Sequence, residues 1–295
     1  MSEGIRVYDR YGRTIVREPV CGEWFLRFAY GNALGRCLQA TVGSRIFFSR
    51  VASFFANRRV SARKILPFVR RYGISVADCA RGLECYGSFQ EFFTRRLRVG
   101  ARPIDGGRDG ISAPADGRYL YIPQLQDNRT IFVKGRQLRP AELLGSASLS
   151  AKFASALICR LAPFDYHRFH FPCDAVPSGT ITLGRKLHSV HPLALRSTAG
   201  ALFRNRRQLT RTVTDFGEIA MVEVGATFVG SIRQTYQPNR HVHKGDEKGF
   251  FAFGGSTIIL LFERGAARPV SDIKIWSERE VETYVKMGDR VLERC

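Results

Sequence analysis

No run of about 18 uncharged apolar residues occurs in the 295-residue chain, so the sequence predicts no membrane-spanning helix. The opening MSEGIRVYDRYGR lacks the apolar core of a secretory signal, which argues against conventional secretion. Acid is scarce: 26 Asp and Glu stand against 46 Lys and Arg, a formal charge of +20. Between Trp24 and Ala77 there is none at all, while ten basic residues occur. The seven cysteines, at 21, 37, 79, 85, 159, 173 and 295, form no Cys-x-x-Cys pair and are too sparse for a disulfide scaffold, so reduced thiols in a cytoplasmic setting are expected. No internal repeat or low-complexity tract is evident. Disorder is excluded too, because 44% hydrophobic and 12% aromatic content can build the core of one large domain or two small ones.

What is present is a folded, very basic protein whose partner surfaces are anionic: nucleic acid, phospholipid headgroups or phosphorylated substrates. Within the acid-free window, Ile46, Phe47, Val51, Phe54 and Phe55 recur at helical spacing, interrupted by Arg45, Arg50, Arg58 and Arg59. That pattern predicts a basic amphipathic helix, suited to lie in a membrane interface or to pack on its own core. After roughly residue 100, Gly and Pro punctuate short apolar runs at 117–123, 130–134, 156–161, 179–183, 219–232 and 250–262, several with strand-like alternation. A short helix is expected over 141–153 and a last helix or strand over 278–287. The fold expected is α+β: a helical, basic region over residues 1–100, then a strand-rich β-sandwich or barrel-like catalytic domain over 101–295.

Three turns carry candidate chemistry. In FFAFGGSTIILLF, Phe250 to Phe262, two apolar runs are separated by Gly254, Gly255, Ser256 and Thr257, which puts hydroxyls where the chain turns. In LAPFDYHRFHFPC, His167 and His170 lie three apart between prolines. Neither Cys173 nor the pair His241 and His243 completes a recognised zinc frame with them, so no metal is expected, and a catalytic base is the more economical reading of an imidazole. Ser112-Ala113-Pro114-Ala115-Asp116-Gly117 is a turn leading into a strand. One Asp, one His and one Ser from separate turns can form an orienter, base and nucleophile set. His188 and His191, in an apolar-flanked stretch, read as structural.

These segments, together with Phe92-Phe93-Thr94-Arg95-Arg96-Leu97, Val224-Gly225-Ala226-Thr227, Val229-Gly230-Ser231-Ile232 and Lys244-Gly245-Asp246-Glu247-Lys248-Gly249, resemble the phosphatidylserine decarboxylase family. The resemblance spans about residues 88 to 290, and the ending Glu282-Thr283-Tyr284-Val285-Lys286-Met287-Gly288 is similar to the bacterial subgroup with a Gly-Gly-Ser-Thr processing site. It implies that Ser256 becomes a pyruvoyl group after cleavage from Gly255, that His170 is the base, and that Asp116 orients it. His167 would help decarboxylation or hold the substrate. The family often shows Asn-Glu-Arg after a Phe; here Phe203-Arg204-Asn205-Arg206-Arg207 puts Arg206 at the acidic position, and no role is carried onto it.

The implied product is a heterodimer of residues 1–255 and 256–295 from one precursor, held together by strand pairing and core contacts. The implied reaction is decarboxylation of phosphatidylserine in anionic membranes to phosphatidylethanolamine, by an enzyme peripheral on the cytoplasmic face of the cell membrane. Competing readings are a nucleic-acid-binding protein, which no helix-turn-helix, zinc-finger or RNA-recognition pattern supports, an uncleaved membrane-surface scaffold, and the same chemistry on another serine lipid.

Overall fold

The computed structural model describes residues 5–19, 54–125, 131–133, 136–138, 140–184, 205–225, 232–252 and 256–295. Gly254, Gly255, His188, His191 and the part of the amphipathic segment before residue 54 lie outside them. The first element is a hairpin, β1 (Ile5–Asp9) and β2 (Thr14–Glu18), in register Val7 to Val16. Its turn is fixed by Asp9, whose carboxylate accepts from the Tyr11 amide at 3.0 Å. The α+β class holds, and the amino-terminal region expected to be helical opens on this strand hairpin, in which Ile5 and Val7 alternate with Arg6 and Tyr8.

Helices follow. A 3-10 turn (Arg59–Lys64) runs into α1 (Ile65–Tyr72), which Gly73 ends in the left-handed conformation at φ 62°. Ser88 caps α2 (Phe89–Phe93) by accepting from the Glu91 amide at 3.2 Å. Ile65, Val69, Cys79, Tyr86, Phe89, Phe92 and Phe93 form a small apolar cluster of their own.

The strand-rich part then runs β3 (Gly110–Ser112), β4 (Gly117–Ile122), β5 (Ile131–Val133) and β6 (Arg136–Leu138). Two short helices, α3 (Pro140–Leu144) and α4 (Ala147–Ser150), fill the segment where one was expected. Strands β7 (Phe153–Leu161), β8 (Arg168–His170), β9 (Ala175–Pro177) and β10 (Ile181–Leu183) follow. Next come β11 (Arg207–Thr214), β12 (Gly217–Val224), β13 (Ile232–Gln234) and β14 (Glu247–Phe251). The chain ends with β15 (Ser256–Glu263), β16 (Ala267–Pro269), α5 (Ser271–Glu278), β17 (Glu282–Val285) and β18 (Arg290–Arg294).

The main sheet has the order β10-β11-β12-β15-β7-β4-β17-β1-β2, with β9 added on β11. The path is open at both ends, so sandwich-like layers rather than a closed barrel are formed. Strand β15 lies near its middle, and Ser256 to Phe262 are all buried, as a near-continuous apolar run requires when both faces are covered. A second sheet, β13-β14-β8, packs into the same core: its Phe169, Ile232 and Phe251 join the apolar residues of β15 in one buried cluster. The two layers are joined by a buried ion pair: Lys248 of β14 meets Glu223 of β12 at 2.9 Å. Its ammonium also donates to Thr210 at 3.0 Å and Gln234 at 2.9 Å, so all three donors are satisfied where water cannot enter.

Removing one partner would strand a buried charge. Lys248→Met is expected to cost about 3–5 kcal/mol in denaturant unfolding, and adding Glu223→Leu to recover most of it, because a buried pair replaced whole by apolar groups is close to neutral.

Candidate active site

The turn between β3 and β4 is held by backbone bonds on three sides: the Ser112 amide to Pro172 O at 2.8 Å, the Ala113 amide to Asp289 O at 2.7 Å, and the His170 amide to Pro114 O at 2.8 Å. Gly117 is needed there, because a Cβ would stand 2.5 Å from the Cys159 sulfur. The turn delivers Asp116, buried, to a guanidinium: Arg102 Nε and Nη2 donate to its two oxygens at 2.9 and 2.7 Å. The Met287 amide donates to Oδ1 at 2.8 Å.

His170 ends β8, opposite Glu247 of β14. Its Nδ1 is 2.9 Å from the carbonyl of Gly245 and its Nε2 is 3.1 Å from the Tyr166 hydroxyl. A carbonyl only accepts, so the proton sits on Nδ1 and the Nε2 lone pair faces Tyr166, whose hydroxyl donates to it. Gly245 holds φ 90°, and a Cβ there would meet Ile104 at 2.8 Å, so this carbonyl is presented by a turn that only glycine fits. Burial pushes the imidazole below the usual histidine range, with the Gly245 bond and the charges of Glu247 and Asp116 opposing it. The ring is therefore a neutral base at pH 7. Among the described residues Asp116 and His170 share no hydrogen bond; Asp116 acts on the ring through its charge, and the orienting acceptor is Gly245.

His167 is fully buried, its ring centroid 3.9 Å from that of Phe93. Its Nδ1 is 3.0 Å from the carbonyl of Asp165, and its own carbonyl accepts from the Phe251 amide at 3.0 Å. Burial pushes the Asp165 carboxyl up to about 7, against the pull of Arg118, which ion-pairs with it.

Ser256 is the first residue of β15, opposite Leu161 of β7 and fully buried. Its hydroxyl has no hydrogen-bond partner among the described residues, unusual for a buried hydroxyl and fitting for one reserved for reaction. Thr257, Arg160 and Arg118 share the next row across β15, β7 and β4, so Ser256 lies two strands, roughly 10 Å, from the turn that carries Asp116. The sheet β8-β14 brings His170 and His167 to the same end, since the Pro114 carbonyl holds His170 and the end of β14 holds His167. Sequence reasoning singled out Asp116, His167, His170 and Ser256 but missed Tyr166, Arg102 and Gly245. Tyr166 adjoins His167, so proximity was its one signal; Gly245 is 75 residues from His170, with no local signal for the pairing.

A neutral buried imidazole, a fixed carboxylate and a serine hydroxyl with no partner among the described residues, on a strand-rich α+β scaffold, are the kind of groups that acyl- or proton-transfer enzymes use. The chain belongs to the phosphatidylserine decarboxylase family: that family's sequence model matches residues 89–293. It is 42% identical to a phosphatidylserine decarboxylase proenzyme of Chlamydia pneumoniae, over 95% of this chain and 94% of that protein. A namesake from Chlamydia felis (strain Fe/C-56) is 40% identical over 96% of both chains. Another from Clostridium botulinum (strain 657 / Type Ba4) is 36% identical over 98% of this chain and 99% of its own length.

In an NMR titration, the His170 ring should protonate below the ordinary histidine midpoint of about 6.5. Tyr166→Phe removes a donor to Nε2 that favours the neutral ring, so the midpoint should move upward.

Proposed function

We propose that the chain cuts itself between Gly255 and Ser256 and then decarboxylates phosphatidylserine to phosphatidylethanolamine. The observation that carries this reading is a buried Ser256 hydroxyl with no hydrogen-bond partner among the described residues, in a chain that also holds an imidazole neutral and in one tautomer. His170 Nε2 receives the Ser256 hydroxyl proton while Oγ attacks the Gly255 carbonyl carbon, and an ester replaces the amide as the Ser256 nitrogen is freed. Loss of the Ser256 Cα proton expels the Gly255 carboxylate and leaves a dehydroalanine. Its tautomer takes up one water and releases ammonia, so Ser256 ends as a pyruvoyl group on residues 256–295. The charge of Asp116 favours the imidazolium formed on the way, and Arg102 keeps that carboxylate in place.

The residues fit such a group: Ser256 is at a dry strand start, and its hydroxyl is tied to nothing among the described residues. Bound there, the group would supply a ketone beside a carbonyl, an electron sink for the pair left as carbon dioxide departs. His167, held through Nδ1 by the Asp165 carbonyl, would hold the substrate or deliver the proton that replaces the carboxylate. The two chains stay joined because Ser256 to Phe262 of β15 pair with β12 and β7 of the larger one.

The membrane contact is assigned to the amino-terminal region, residues 1–100. Among its described residues, Phe54, Phe55, Val60 and Leu66 are exposed beside exposed Arg58, Arg59, Arg63, Lys64, Arg70 and Arg71. Aromatic and aliphatic side chains amid arginines suit the interface of an anionic bilayer. No helix among the described residues is long and apolar enough to cross a membrane. On the strength of this basic, apolar surface the enzyme is read as peripheral, on the cytoplasmic face of the cell membrane.

Intact-mass spectrometry should find two polypeptides meeting at Gly255 and Ser256, the smaller lighter than a serine-headed fragment because a ketone oxygen replaces the amino nitrogen. Ser256→Ala should leave one full-length, inactive chain; an active wild-type preparation holding only uncut chain would overturn the reading. Replacing Arg58, Arg59 and Arg63 with Ala should weaken binding to phosphatidylserine vesicles severalfold, with turnover on detergent-dispersed substrate and self-cleavage unchanged. Preference for duplex DNA over vesicles would favour the nucleic-acid alternative.

A further inference from the structure

The hairpin β1–β2 lies outside the matched segment 89–293, yet it grips the part of the chain that follows the proposed cut. Strand β1 pairs in parallel with β17, Val7 beside Glu282 and Asp9 beside Tyr284. Arg10 reaches both oxygens of Asp272 at 2.6 and 2.8 Å and donates to the Arg290 carbonyl at 3.0 Å. The Tyr11 hydroxyl donates to Asp289 at 2.5 Å and accepts from the Lys286 amide at 2.7 Å. Tyr8 stacks on Trp276 with ring centroids 4.6 Å apart. Every one of these partners lies in residues 256–295.

The other end of the hairpin faces inward. Glu18, 7% exposed, ion-pairs with Arg118 at 3.0 Å and accepts from Arg160 at 2.6 Å. Arg160 also binds Glu282 of β17 at 2.6 Å. Arg118 binds the carboxylate of Asp165, which in turn accepts from the Ala162 amide at 2.6 Å. The Asp165 carbonyl takes the Nδ1 of His167 at 3.0 Å and Arg95 Nη2 at 3.2 Å. One carboxylate at the end of β2 is thus two ion pairs from the turn that orients His167, and two from the last third of the sheet. Without it, two buried guanidiniums lose a shared counter-charge and must shift toward the acids that remain.

We infer that the amino-terminal hairpin is a clasp on residues 256–295, and that Glu18 is a positioning residue that sets the His167 imidazole through Arg118 and Asp165. The second half rests on the functional reading above, in which His167 serves decarboxylation. Among the described residues Glu18 bonds to Arg118 and Arg160 and not to Ser256 or His170, so self-cleavage is spared while turnover is not.

The test uses the full-length, self-processed protein and detergent-dispersed phosphatidylserine. Glu18→Gln should cut to completion and lower kcat by about 10–100-fold, the scale of an ångström-sized misplacement, with KM within about twofold. Glu18→Asp should restore part of kcat. Combined Arg10→Gln and Tyr11→Phe, whose contacts fall on the small chain alone, should keep kcat but release that chain at a lower urea concentration. A Glu18→Gln protein with wild-type kcat, or one whose cleavage and turnover fall together with its folded fraction, overturns the positioning role. Unchanged urea release in the double variant overturns the clasp. If Glu18→Gln does not fold, the His167 ring resonances of Glu18→Asp decide: a shift supports positioning and unmoved signals overturn it. Failure of the functional reading is distinguishable, because it appears in the unsubstituted chain as an uncut, inactive protein.

Discussion

Strand β15 has no solvent on either face, and that constraint organises the molecule. Seven consecutive buried residues from Ser256 to Phe262 can be satisfied only between two other strands with layers above and below. Strands β12 and β7 supply the ladder, and the sheet β13-β14-β8 packs into the same core. The Ser256 hydroxyl stands at the head of this strand, so the forces that bury the apolar run also hold Ser256 in a dry, fixed place. A serine on a mobile loop would have neither property. The same pairing would keep the chain together after the proposed cut before β15.

Burial on this scale makes every polar group in the interior expensive, and the molecule meets the cost by pairing. Lys248 has an acceptor for each of its three donors, and Arg118 and Arg160 are shared among Glu18, Glu282 and Asp165. His170 is the contrast: it is buried without a hydrogen-bonded carboxylate, so burial dominates and the ring stays neutral. An imidazole salt-bridged to Asp116 would hold its proton to higher pH, and its lone pair would be free in fewer molecules at neutral pH. Giving Asp116 to Arg102, and the Nδ1 proton of His170 to a glycine carbonyl, keeps the orienting function while avoiding that charge.

Much of this was legible in the residues. Alternation and β-branched runs marked β4, β7, β14 and β15 to within a few residues, because strand period depends only on neighbours in sequence, while the run expected over 219–232 overran β12, which ends at Val224. The turn at Pro114 to Gly117, the histidines of the 165–170 segment and the hydroxyl at the Gly-Gly break were visible for the same local reason. The hairpin at residues 5–18 escaped, although Ile-Arg-Val-Tyr alternates and Thr-Ile-Val-Arg is rich in β-branched residues. A two-stranded hairpin is marginal alone, and what makes this one stable is β17, more than 270 residues away. The expectation that Asp116 would hold the His170 tautomer failed to anticipate the competing guanidinium of Arg102.

The sequence by itself determined the class of fold and the basic character of the amino-terminal region, and it singled out the serine, histidines and aspartate of the candidate site, since composition, period and residue type are properties of short windows. Tertiary structure alone decided their partners: Tyr166 on Nε2, Gly245 on Nδ1, Arg102 on Asp116, and Glu18 between two arginines. Those contacts join residues 4 to 142 positions apart. No window of sequence contains both ends of the longer ones, and a buried charge accepts whichever partner the packing brings within reach.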